Sequence, residues 1–164
     1  MIKALCIALT LVCLAGCSKP GPVVLDKAGH GLRQKQRPLI VGKWYSDSPT
    51  TEGGHVMEIA EHRANGTYVV SFRVIDKTGK VKDSQEAGFW GTAGNIYFTI
   101  TKGWIQGSKF IPAPPGLADL EDAYQILELK NGKFRYRSVE NKNVYSAIKV
   151  DDTFQFPGIP PSKG

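Results

Sequence analysis

With 164 residues, 41% of them hydrophobic, the chain is long enough for one domain with a real core and too short for two ordinary ones. Its formal charge is +6, yet five cations against one anion fall between Ser18 and Val41, whereas 15 cations and 14 anions follow from Gly42. The part beyond Gly42 is close to neutral and its basic residues are not interleaved with aromatics, which argues against a nucleic-acid partner.

Met1–Gly16 opens with one cation, Lys3, and runs through the apolar stretch Ala4–Leu14, interrupted only by Thr10. It ends Leu14-Ala15-Gly16 before Cys17. That outline predicts an export signal peptide over residues 1–16. The stretch has about a dozen residues against the roughly 20 that a helix needs to cross the hydrocarbon core, so cleavage is expected rather than a permanent span. The quartet Leu14-Ala15-Gly16-Cys17 resembles the bacterial lipobox. The resemblance implies that the Cys17 thiol carries diacylglycerol, that Cys17 becomes the first mature residue, and that the membrane partner is reached through this N-terminal lipid. Aspartate after the lipidated cysteine favours inner-membrane retention in such lipoproteins, and Ser18 lacks that signal. The implied address is a lipid-anchored cell envelope, at the outer membrane facing the periplasm if the source is Gram-negative. The other cysteines, Cys6 and Cys13, leave with the signal, so no disulfide framework remains. No cofactor is expected beyond the covalent lipid.

Residues 17–41 are rich in Gly and Pro and lack sustained apolar alternation until Leu39-Ile40-Val41, which reads as a basic tether. Residues 42–150 form the expected domain, and 151–164 a C-terminal tail. Within the domain, helical periodicity is scarce and short segments alternate in polarity. Gly66–Asp76 places Tyr68, Val70, Phe72 and Val74 on one face. Asn95–Thr101 sets Ile96, Phe98 and Ile100 against Tyr97, Thr99 and Thr101, and Lys133–Ser138 sets Phe134 and Tyr136 against Arg135 and Arg137. Each predicts a strand with its apolar face inward. Asn65-Gly66 and Asn131-Gly132 suit tight hairpins, and Lys77–Lys80 and Gly94-Asn95 are also turn-like. With Lys43–Ser46, His55–Ala60, Val81–Trp90, Ala123–Leu129 and Val144–Val150 there are about eight strands. The expected fold is all-β, an antiparallel meander closed into a small barrel that leaves no exposed edge.

Gly42-Lys43-Trp44 at the head of the first strand, followed by Asn65-Gly66-Thr67-Tyr68 and Gly88-Phe89-Trp90, resembles the bacterial lipocalin-like lipoproteins over roughly residues 39–150. The resemblance implies a barrel closed at one end by the Trp44 indole, with a late-strand arginine, Arg135 or Arg137, packed on it. It makes Trp44 structural. Tyr68, Phe72, Phe98, Phe134 and Tyr136 then either line a cavity for a small apolar ligand or fill the barrel as core.

Gly103–Asp122 separates two strands by about twenty residues where hairpin loops usually have 2–5. It holds Trp104, Phe110 and Ile111 beside Pro112, Pro114 and Pro115, with a short helical turn foreseen at Leu117–Asp122. The loop either presents an interaction surface or packs over the barrel mouth.

Catalytic chemistry is hard to find. His55, Glu58 and His62 suggest a metal site only superficially, because His55 and Glu58 differ in strand parity and point to opposite faces. Glu121-Asp122 and Asp151-Asp152 are sequence neighbours, read as solvated charge. An enzyme and a metal centre are therefore not expected. The leading expectation is a non-enzymatic, membrane-anchored binding module for a small apolar ligand. An envelope protein-protein interaction or inhibitor module using residues 103–122 is the alternative, and a structural accessory without a discrete ligand is a third.

Overall fold

The structure, a computed structural model, describes residues 35–117 and 120–158. Met1–Gly16, Cys17 and the tether as far as residue 34 lie outside the described residues. Among the described residues, no helix is long and apolar enough to cross a membrane.

Nine antiparallel strands follow a four-residue helix, α1 (Arg37–Ile40). They are β1 (Gly42–Pro49), β2 (His55–His62), β3 (Thr67–Ile75), β4 (Val81–Ala93), β5 (Ile96–Gln106), β6 (Lys109–Pro112), β7 (Glu121–Lys130), β8 (Lys133–Ser138) and β9 (Val144–Val150). Each of β1 to β5 pairs with the next, then β5 with β7, β7 with β8 and β8 with β9. Lys43–Tyr45 of β1 meet Ile148–Val150 of β9 and complete the ring. The result is a closed eight-stranded antiparallel barrel, compatible with a lipocalin-like fold, with β6 added outside the ring. Closure gives every barrel strand two neighbours, so no barrel edge is left to recruit another chain.

The turns follow from local chemistry. Asn131 and Gly132 both adopt positive φ, 51° and 69°, the requirement of a two-residue hairpin whose twist matches its strands. At the β3–β4 turn the Asp76 carboxylate accepts hydrogen bonds from the Thr78 and Lys80 amides, which closes a loop capped by Gly79. Sequence alternation locates these hairpins correctly.

The region 103–122 does not form one long loop. β5 continues through Gln106, turns at Gly107 and returns as β6, pairing Trp104 with Ile111 and Ile105 with Phe110. Pro112 ends this short strand on an edge that faces no further neighbour, where a missing N–H costs nothing. Glu121 and Asp122 begin β7 instead of ending a helical turn.

One end of the barrel is plugged. Ile40 of α1 is fully buried, and the Trp44 indole Nε1 donates to the Ile40 carbonyl at 2.6 Å while its ring packs 5.4 Å from Phe134. Trp90, His62 and Tyr97 complete this aromatic floor. The cation over Trp44 is Lys149 of β9, whose Nζ stands 5.5 Å from the ring centroid and donates to the Val41 carbonyl. Gly42 leaves room for it, since a Cβ there would lie 3.1 Å from Lys149 Cε. Arg135 and Arg137, the candidates from sequence, point outward and are exposed.

Beyond Val150 the chain crosses the outside of the barrel. Lys43 Nζ donates to the Asp152 and Phe154 carbonyls, Phe154 packs 5.0 Å from Tyr45, and Arg73 lies 4.8 Å over Phe156. The described part of the tail therefore lies against the outer faces of β1 and β3.

Candidate functional site

Strand direction divides the barrel into two unlike ends. β1, β3 and β5 start at the end covered by α1, so the β1–β2, β3–β4 and β8–β9 turns gather at the other. Toward that second end the packed aromatic floor gives way to a cavity of about 220 Å³. It is smaller than the ~300–1,000 Å³ pockets that hold drug-sized ligands, and at ~30 Å³ per molecule has room for about seven waters.

Three carboxylates line the cavity, Glu58 of β2, Glu86 of β4 and Asp122 at the start of β7. Five tyrosines join them: Tyr68, Tyr97, Tyr124, Tyr136 and Tyr145. Thr99 and Thr101 contribute hydroxyls, and the apolar share comes from Ala60, Val70 and Phe72. No lysine, arginine or histidine is among the lining residues. Three acids thus share one small space without a counter-charge.

The cyclic strand order sets these groups against one another. β2 and β4 stand across the barrel from β7 and β9, so Glu58 and Glu86 face a wall of tyrosines. On that wall Tyr97 and Tyr124 stack with centroids 5.6 Å apart. Tyr124 meets Tyr136 edge-on at 5.1 Å, and Tyr136 stacks on Tyr145 at 5.5 Å. Such pairs hold one another in place, which makes the wall a preformed surface.

Each acid is perturbed in the same direction. Glu58 is enclosed by protein except where it meets the cavity. Burial, reinforced by the neighbouring charge of Glu86, pushes its pKa up to about 7. Burial also raises Glu86, against a hydrogen bond from Thr101 Oγ1 at 3.3 Å, and raises Asp122. Removing water from a carboxylate penalises its charged form, and like charges nearby add to the penalty. The Thr101 hydroxyl is also 2.7 Å from the Tyr68 hydroxyl, linking β5 to β3 across the interior.

His62 belongs to the floor rather than to the cavity. Its Nε2 is 2.7 Å from the Tyr97 hydroxyl, its Nδ1 is buried without a hydrogen-bond partner, and burial drives its pKa down to about 3. The ring is therefore neutral at ordinary pH. His55 lies outside the barrel, 3.0 Å from Asp47. Among the described residues no three His, Cys, Asp or Glu side chains are grouped to hold a metal ion.

No family model and no curated protein matches the chain.

The residues singled out from sequence are distributed unevenly. Tyr68, Phe72 and Tyr136 line the cavity. Phe134 is 1% exposed and packs in the floor among Trp44, Tyr97 and Tyr136. Phe98 is on the opposite side of the wall, its ring packed over Gly91 of the neighbouring strand. The inward face of β5 is Tyr97, Thr99 and Thr101, all buried, so the expected parity is inverted. Phe110 and Ile111 are exposed on β6, at 49% and 39%, with Trp104 half-buried beside them. Cys17 lies outside the described residues. Sequence reasoning missed Glu86, Thr99, Thr101, Tyr124 and Tyr145 as lining groups, and Asp122 was read as solvated charge. The available signal was an acid at an inward parity position: Glu58 stands two residues before Ala60 and four before His62.

Proposed function

We propose that this protein is a lipid-anchored cell-envelope binding module of lipocalin-like kind, non-enzymatic, which holds a small molecule inside its barrel. The observation that carries the reading is the unfilled cavity above a plugged floor. A barrel serving only as a scaffold gains nothing from leaving about 220 Å³ open in a ring of carboxylates and hydroxyls, because empty interior forfeits packing contacts. The lining holds no serine, cysteine, histidine or lysine, and on this reading its carboxylates and hydroxyls serve binding. The apolar ligand first expected is a poor match, since it would strip water from three acids and return nothing. A polar small molecule is the better fit.

Native mass spectrometry of the full chain, purified from its own envelope in detergent, tests this reading. A retained small molecule that is lost on denaturation is the expected result. An empty barrel with a protein held in stoichiometric amount would refute it and move the function to Phe110 and Ile111. Their exposure on the β5–β6 hairpin favours a protein contact as the second reading.

The anchoring half of the proposal rests on the resemblance of Leu14–Cys17 to the lipobox. Cys17→Ser is expected to release the protein from the membrane fraction with its fold unchanged. Continued sedimentation with membranes after a high-salt wash would count against lipidation at this residue.

A further inference from the structure

We infer that the barrel ligand is a small organic amine in its ammonium form, its charge held by Glu58 and Glu86 and its body laid against Tyr124 and Tyr136. The inference rests on the small-molecule reading above and narrows it to one chemical class.

Charge is the first argument. The cavity holds three acids and no basic side chain, so an anionic guest would meet uncompensated repulsion. A neutral guest would displace their water and leave the acids facing each other. An ammonium guest replaces that water with charge-assisted hydrogen bonds, which are shorter and about twice as strong as neutral ones. Glu58 makes this sharper, because it occupies an inward position of β2 and lines the cavity together with Glu86.

The opposite wall is the second, independent argument. Tyrosine faces attract cations through the ring quadrupole and also take up apolar surface. In this barrel Tyr124 and Tyr136 stand on strands across from Glu58 and Glu86, so a molecule with an ammonium head and a compact apolar body meets complementary chemistry at both ends. A metal ion would need the three carboxylates close enough to share it, and among the described residues no such group of three is found. The volume restricts the guest to a compact molecule.

Binding of this kind depends on pH, with the sign fixed by the acids. Facing Glu58 are Glu86 on β4, Asp122 and Tyr124 on β7, Tyr136 on β8 and Tyr145 on β9. Tyr68 on β3 and Tyr97 on β5 complete the set, with neutral His62 beneath on β2. The tyrosines with raised pKa stay uncharged across the neutral range, so the acids alone change state there. Affinity therefore rises as Glu58 loses its proton and falls when it regains it.

Isothermal calorimetry on the full chain in detergent tests the inference with four probes: 2-phenylethylamine, n-butylamine, 2-phenylethanol and 3-phenylpropanoate. One or both amines are expected to bind at pH 8, the alcohol at least ten-fold more weakly and the carboxylate undetectably. Amine binding should weaken about ten-fold on going to pH 5.5. Glu58→Gln and Glu86→Gln should each lose at least ten-fold in amine affinity while near-UV circular dichroism stays unchanged. Glu58→Gln should also flatten the pH dependence. If the alcohol binds as well as its amine, or neither glutamine variant alters amine affinity, the amine assignment is overturned while cavity binding stands. If no amine binds and native mass spectrometry still finds a retained molecule, the chemical class is wrong and the binding module survives. Only an empty barrel in both experiments removes both readings.

Discussion

Replacing Phe134 with alanine is expected to lower the stability of the domain by about 3–5 kcal/mol, the range for deleting a buried aromatic ring. Phe134 is 1% exposed and touches three further aromatics, Trp44 at 5.4 Å, Tyr97 at 5.4 Å and Tyr136 at 4.6 Å. The space vacated cannot collapse easily, because Trp44 is fixed by its bond to the Ile40 carbonyl and Tyr97 by its contact with His62. Phe98→Ala provides the contrast. Its ring lies on the outer surface of β5 over Gly91, so removing it should cost about 1 kcal/mol, the size of a cross-strand pair. Urea unfolding midpoints of the two variants against the parent decide the matter. Equal losses would mean that Phe98, and not Thr99, faces the barrel interior.

That contrast also marks where sequence was informative. Hairpins were legible because Asn131-Gly132 and Asn65-Gly66 encode their geometry locally, and the one-sided strands β3 and β8 because polarity follows pleat. β5 was not. In Asn95–Thr101 one face is wholly apolar and the other carries Tyr97, Thr99 and Thr101, and choosing Ile96, Phe98 and Ile100 as the inner set assumes an apolar interior. The barrel interior at that level is a polar cavity, so Tyr97, Thr99 and Thr101 turn inward and the branched and aromatic side chains cover the outside. The inverted strand and the missed site are one phenomenon. The same assumption hides Asp122, which reads as solvated charge because acids rarely face inward without partners, while Glu58 draws notice only as a metal-ligand candidate beside His55 and His62. β6 was obscured for a different reason. Pro112, Pro114 and Pro115 signal loop, yet an edge strand tolerates a proline that a central strand does not. The lysine over Trp44 could not be identified from spacing, since only ring closure brings β9 beside β1.

The second large effect concerns Glu58 and pH. A free glutamate titrates near 4.5, whereas Glu58 in the folded protein titrates at about 7, through burial and the charge of Glu86. Between those values the folded state holds a proton that the unfolded state has lost, so raising the pH destabilises the fold. Below about 4.5 the group contributes its full benefit, and above about 7 the benefit is gone, a difference of roughly 3 kcal/mol at 1.36 kcal/mol per pH unit. His62 acts in the opposite sense. Its folded pKa is depressed from 6.5 to about 3, so the unfolded state takes up a proton first and stability falls as the pH drops below 6.5. The two slopes oppose each other between 4.5 and 6.5 and give the parent a blunt stability maximum. Glu58→Gln removes one of them. Its unfolding free energy from urea titration should match the parent's near pH 4.5 and exceed it by up to about 3 kcal/mol at pH 8, with the acid-side loss from His62 unchanged. A difference still growing by about 1.36 kcal/mol per pH unit above pH 8 would show that Glu58 does not ionise in the folded barrel. The carboxylate that weakens the empty protein above neutrality would then have no charge to offer a cation, and the amine assignment would lose its principal ligand.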